Sequence, residues 1–186
     1  ALVRFNEMQC RRISPNVVTY ISALKACSNI RYIRVGQELH AAILKRMEFL
    51  CQDNLPLGNS LVDMYAQCGH LAEAEEVVDR LPFQDSVLFT TLIVGCTNHG
   101  QGEQALRILE MMENRQILPD SIVLVCSLRA CTSIGEIEKA RELHSYLERH
   151  GFMKGDPSIG DALIDMYAKC GLHEEAQAIF HDIRLG

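Results

Sequence analysis

The chain has 186 residues, 48% of them hydrophobic, and a formal net charge of −6. That acidity counts against binding nucleic acid by bulk charge, though a local basic stripe on one face stays open. No apolar run approaches the ~20 residues a membrane-spanning helix needs, and eight cysteines without a C-x-x-C pair lack the zinc-ribbon and dithiol redox patterns.

Taken in order, residues 1–9 carry Leu2, Phe5 and Met8 at helical spacing. They read as the second helix of a unit whose first helix is cut away, and Pro15-Asn16 ends it. Helices are predicted over 17–28 and 32–45. Gly36 in the interior of the latter costs ~1 kcal/mol relative to Ala, so a close helix–helix contact is expected there. Residues 47–54 form a longer connection. A helix over 57–67 ends at Gly69, as a left-handed C-cap residue would end it. The next, 71–81, turns Leu71, Ala74 and Val78 to one face, and Pro82 stops it. Further helices follow over 86–99, 101–115, 121–133, 136–150, 158–169 and 172–183, with Gly100, Gly135 and Gly171 as breaks. No strand alternation survives.

The helix pairs repeat. Leu61-Val62-Asp63-Met64-Tyr65-Ala66-Gln67-Cys68-Gly69 returns as Leu163-Ile164-Asp165-Met166-Tyr167-Ala168-Lys169-Cys170-Gly171. Ala23-Leu24-Lys25-Ala26-Cys27 matches Ser127-Leu128-Arg129-Ala130-Cys131, and Gln37-Glu38-Leu39-His40 matches Arg141-Glu142-Leu143-His144. Such recurrence marks a repeat protein. Its units are 17–54 (long), 55–85 (short), 86–120 (medium), 121–156 (long) and 157–186 (short, truncated at its end), after the second half of a medium unit at 1–16. The recurring Cys27, Cys131, Cys68 and Cys170 read as small buried apolar residues in a reducing compartment. His40 and His144 read as packing residues.

This triplet resembles the PLS class of plant pentatricopeptide repeat proteins over essentially the whole chain. The twin stretches, Glu103-Gln104-Ala105-Leu106 with Ile117-Leu118-Pro119-Asp120, and the Leu-Lys-Ala-Cys and Glu-Leu-His segments carry the likeness. Tetratricopeptide repeats hold to a constant length and often use Trp, which this chain lacks. The resemblance implies an all-α, right-handed superhelical solenoid of helix-turn-helix repeats, forming one continuous array. It implies single-stranded RNA as partner, read at one base per repeat. It also implies a mitochondrial or chloroplast setting, a role in specifying sites of processing such as C-to-U editing, and other editing factors as partners. The chain reads as a fragment of something longer.

In the family, a unit's fifth and last residues select the base. Carried over, these are Asn59 with Asp85 in unit 55–85, and Thr90 with Asp120 in unit 86–120. A carboxylate only accepts hydrogen bonds, and uracil and guanine offer an imino N–H on the pairing edge. The larger Asn59 then favours U and the smaller Thr90 leaves room for G, with RNA running 5′ to 3′ along the chain. The bland reading makes all four cap or turn residues. Ile21 with Asn54 and Val125 with Asp156 are weak readers, because Ile and Val cannot hydrogen-bond a base. Asp161 is atypical. Apolar second residues, Pro56, Val87 and Ile122, would sandwich the bases or pack between units. Lys25, Arg129 and Lys169 on first helices would face phosphates, while acidic residues lie mostly on second helices.

No cofactor, metal site or enzyme activity is expected. His173-Glu174-Glu175 fits the H-x-E of zinc deaminases, but no P-C-x-x-C follows, so it reads as surface charge. The alternative function is a helical-repeat scaffold that holds a protein or peptide partner in its groove. No membrane partner is expected.

Overall fold

A computed structural model describes residues 1–46, 54–82, 84–154 and 156–185. The predicted connection at 47–54 lies outside these, apart from Asn54, as does Cys51. The described residues form eleven α-helices and no strand. They are α1 (Leu2–Cys10), α2 (Val17–Ile30), α3 (Ile33–Arg46), α4 (Leu55–Gln67), α5 (Leu71–Arg80), α6 (Ser86–Asn98), α7 (Gly102–Asn114), α8 (Ser121–Ile134), α9 (Ile137–Arg149), α10 (Pro157–Lys169) and α11 (His173–Leu185). The chain divides into two compact units, Ala1–Gly95 and Cys96–Gly186.

Helix ends differ from expectation by no more than two residues, and capping explains the clearest case. The Asn54 side chain accepts from Leu57 N, so α4 starts at Leu55, with Pro56 in the first turn where its missing N–H costs nothing. A short 3-10 helix, Phe152–Lys154, was not predicted. Three residues carry no amphipathic period to detect.

Even-numbered helices from α2 to α10 are the first helices of the hairpins, and most of their residues are apolar. They touch neighbours on two sides: α2 packs on α3 and α4 in the first unit, and α8 on α7, α9 and α10 in the second. The core therefore runs along them, through Leu24, Cys27, Leu61 and Met64, and through Leu128, Cys131, Leu163 and Met166. Second helices bury one stripe only. In α5 that stripe is Leu71, Ala74, Val77 and Val78, with Glu76 and Asp79 in solvent.

The predicted tight contact at Gly36 is present: a methyl there would collide with the Sδ of Met64, which is fully buried. Beside it, His40 Nδ1 on α3 lies 2.9 Å from Tyr65 Oη on α4. His144 and Tyr167 repeat that distance between α9 and α10. Both histidines are thus packing residues. Of the recurring cysteines, Cys27 and Cys131 are buried as expected. Cys68 and Cys170 are only half-buried, because each caps the end of its first helix.

Every first helix closes in a Schellman-type turn with a left-handed residue at the cap or just after it. His70 N donates to Tyr65 O at 2.9 Å, and Leu172 N to Tyr167 O at 2.9 Å. The left-handed residue is Gly69, Gly100, Gly135 or Gly171 in four of the five helices. In α2 it is Arg31, at φ 52°. A side chain in this region costs roughly 1–2 kcal/mol. Arg12 and Gln116 take the same backbone after the second helices α1 and α7.

Candidate nucleic-acid interface

Each first helix begins with an Asn or Asp whose side chain caps it. Asn16 accepts from Thr19 N at 2.9 Å, and Asn54 from Leu57 N at 3.3 Å. Asp85 accepts from Leu88 N at 3.0 Å, and Asp120 from Val123 N at 2.9 Å. Asp156 accepts from the N and Oγ of Ser158, which hold its carboxyl below the ordinary carboxylate range. The bland reading of Asp85 and Asp120 as caps is therefore right as far as it goes. Each spends one oxygen, Oδ1, on the cap. No hydrogen bond from the described residues reaches the other.

The fifth residues are not caps, and here the bland reading fails. Asn59 lies inside α4. Its Oδ1 is buried and accepts no hydrogen bond, the one such side-chain atom among the described residues. Leaving a buried acceptor unpaired costs roughly 1–3 kcal/mol. Thr90 lies one turn into α6 and donates its hydroxyl to Ser86 O at 2.8 Å, which leaves the oxygen lone pairs to accept. No hydrogen bond joins Asn59 to Asp85. The start of α4 does reach the end of its own hairpin, since a Cβ on Gly58 would stand 2.7 Å from a methyl of Leu81, four residues before Asp85. Thr90 and Asp120 belong to different compact units. Of the weak readers, Val125 is buried, Ile21 is half-buried and Asp161 is exposed.

The second residues face solvent. Val87 is 53% exposed, Ile122 56%, and Pro56 is exposed as well. Packing between units would have buried them. Val18, the second residue of unit 17–54, is 69% exposed and belongs with them. Its place in the repeat, which matches the other three, is the signal in the sequence that marks it out. All four hold the second position of their repeats, three in the first compact unit and Ile122 in the second.

The cations on the first helices are exposed, but not equally available. Lys25 and Arg129 point to solvent, whereas Lys169 Nζ is paired with Asp165 Oδ2 at 2.8 Å, one turn back on α10. His173 and Glu174 are exposed, and Glu175 lies 3.3 Å from Arg141. Among the described residues no group of three metal-ligating side chains comes together, and no helix is long and apolar enough to cross a membrane.

The family profile described as PPR repeat matches residues 59–82, 87–117 and 161–185. A pentatricopeptide repeat-containing protein of Arabidopsis thaliana is 35% identical over 185 residues, covering 99% of this chain and 32% of the relative. The chain carries pentatricopeptide repeats over the three matched segments. A chloroplastic pentatricopeptide repeat-containing protein of the same plant is 34% identical over 177 residues, 95% of this chain and 19% of that protein. The chain thus spans a third or less of the length of these relatives. Among solved structures, maize PPR10 superposes with a TM-score of 0.76 at 25% identity, over 97% of this chain and 26% of PPR10. PPR10 in complex with an 18-nt psaJ RNA element gives 0.73 at 26% identity, over 96% and 26%. The all-helical repeat fold expected from the sequence is that of this family.

Proposed function

We propose that the chain is a sequence-selective, single-stranded RNA-binding segment of a pentatricopeptide repeat protein. The exposed side chains of Val18, Pro56 and Val87, each at the second position of its repeat, carry this reading, and Ile122 holds the same position in the repeat that follows. Apolar side chains one unit apart suit the faces of unstacked bases, because every base has an apolar π-face. The RNA-bound likeness of PPR10 supports it.

Selection then falls to the polar residues at the fifth and last positions of the repeats. Asp85 has a free oxygen to accept an imino N–H, and the unpaired amide of Asn59 lies at the same end of the hairpin. Unit 55–85 prefers U. By the same rule Thr90 and Asp120 give unit 86–120 a preference for G. The medium–long–short order of the units supports a PLS-class protein acting in an organelle, specifying sites of RNA processing such as C-to-U editing in concert with other editing factors.

The test is binding of short RNAs that carry U-G in register, by wild type and by Asp85→Asn. Asparagine caps as well as aspartate does, so the helix is kept, while its amide donates where the carboxylate could only accept. Preference at that base should move from U toward C. An unchanged preference rejects the assignment. Capture of a peptide with no RNA binding would favour the scaffold instead.

A further inference from the structure

Between α2 and α4 lies a solvent-open hollow of about 340 Å³, lined by Ser28, Asn29, Arg31, Asp63 and Gln67. All five side chains are polar. Asp63 and Gln67 follow Asn59 at steps of four on α4, so the hollow continues the face that holds the proposed base reader, about 6 Å further along the helix per step. Its floor is ordered. Ser28 is buried, and its Oγ donates to Asp63 Oδ2 at 2.8 Å. No second hydrogen bond reaches the Asp63 carboxylate among the described residues.

Arg31 is the telling member. It occupies the left-handed position that the other four first helices give to glycine, and its counterpart in the second long unit is Gly135. A guanidinium at the rim of a polar hollow thus stands on strained backbone, at a place where the other four first helices carry no side chain. Strain held at one copy of a repeated position points to a function at that copy. No ion pair joins Arg31 to Asp63, so its charge is not spent on the carboxylate across the hollow.

We infer that this hollow holds one ribose-phosphate of the bound strand, with Arg31 on the phosphodiester and Asp63, fixed by Ser28, accepting from the 2′-hydroxyl. The assignment rests on the RNA-binding reading above and adds to it a means of telling RNA from DNA. Arg31 supplies the charge that lets an anionic backbone pass a carboxylate. Asp63 supplies an acceptor that only a ribose can use, since the 2′-hydroxyl is the group that distinguishes RNA at a given site.

Two measurements on the full chain test it. Arg31→Gly restores the residue the fold uses elsewhere. It should keep or raise the thermal midpoint, lower RNA affinity several-fold, and reduce the slope of log K against log salt by about 0.7, the loss of one phosphate contact on a single strand. A walk of single 2′-deoxy substitutions along the RNA should find one position that weakens wild type several-fold and leaves Asp63→Ala unaffected. Unchanged affinity and slope in Arg31→Gly, or a walk without a sensitive position, overturns the inference while RNA binding itself stands. Wild type that binds no RNA removes both.

Discussion

His40 Nδ1 and Tyr65 Oη stand 2.9 Å apart and tie the second helix of a long unit to the first helix of the short unit after it. The rings meet edge-on, with centroids 5.5 Å apart, and His144 with Tyr167 reproduces the arrangement. Tyr65→Phe keeps the ring and removes the hydroxyl, which leaves a half-buried imidazole nitrogen unpaired. We expect a loss of about 1–2 kcal/mol in equilibrium denaturation. No loss would mean that water replaces the hydroxyl without penalty.

The same pair gives a pH dependence. Burial, and then the Arg80 charge, push the His40 pKa below its ordinary value of 6.5. The unfolded chain therefore binds a proton at a pH where the folded chain does not, and stability rises with pH across that window. The contribution is complete above about 6.5. It declines as the pH falls toward the lowered folded pKa. Denaturation midpoints of wild type should drop on acidification from pH 7.5, and His40→Gln should show a shallower drop. Parallel curves would assign the effect to other groups.

Gly102 opens α7 against the end of α8. A Cβ there would lie 2.6 Å from Ser133 Oγ, 2.7 Å from an Ile134 methyl and 2.9 Å from Ala130 O. The last is backbone and cannot turn aside. Gly102→Ala should destabilise by roughly 1–3 kcal/mol of overpacking, more than the ~1 kcal/mol that alanine returns in helix propensity. A thermal midpoint at or above that of wild type would show that the two helices part easily.

Asp85 separates stability from recognition. Asp85→Ala removes the cap on Leu88 N and should cost about 1 kcal/mol, while Asp85→Asn and Asp85→Ser stay close to wild type. Thermal melts of the three variants decide this without any RNA. Equal melts would mean that water caps α6 as well as the carboxylate does.

The thiols should divide sharply. Burial pushes Cys27 and Cys131 up to about 11. Since the thiolate is the nucleophile, neither should be alkylated in the native state at pH 8, whereas exposed Cys10 should react readily. Mass spectrometry after brief iodoacetamide treatment, with and without denaturant, reads the difference. Early modification of Cys27 would indicate local opening of α2.

Much of this was legible because the repeat writes it several times. Leu61 to Gly69 and its twin gave away the hairpin, and the recurring His40 and His144 gave away a packing role before their tyrosines were known. What stayed hidden has particular causes. Propensity does not say that Asp85 lends one oxygen to a helix and keeps the other, because a cap needs only one acceptor and leaves the second unspecified. Exposure of Val87 and Ile122 depends on how first helices present their opening turn, which a periodic pattern leaves ambiguous between core and surface. The hollow beside Arg31 joins residues from two helices that only packing brings together. The Ion pair of Lys169 with Asp165 was within reach at a spacing of four, and would have discounted that lysine as a phosphate contact.

The five caps carry a consequence for how such a chain changes its target over generations. Asn16, Asn54, Asp85, Asp120 and Asp156 each close one unit and open the helix of the next. Under the proposed reading each also faces a base, and a residue with both roles can be replaced only by one that satisfies both. Few side chains cap well, and Asp and Asn are among the best. Their codons differ by a single nucleotide, so under the proposed reading one point mutation exchanges an acceptor for a donor at the base while the helix downstream stays folded. Helix chemistry thereby sets a short alphabet at this position, and retargeting becomes a matter of spelling within it.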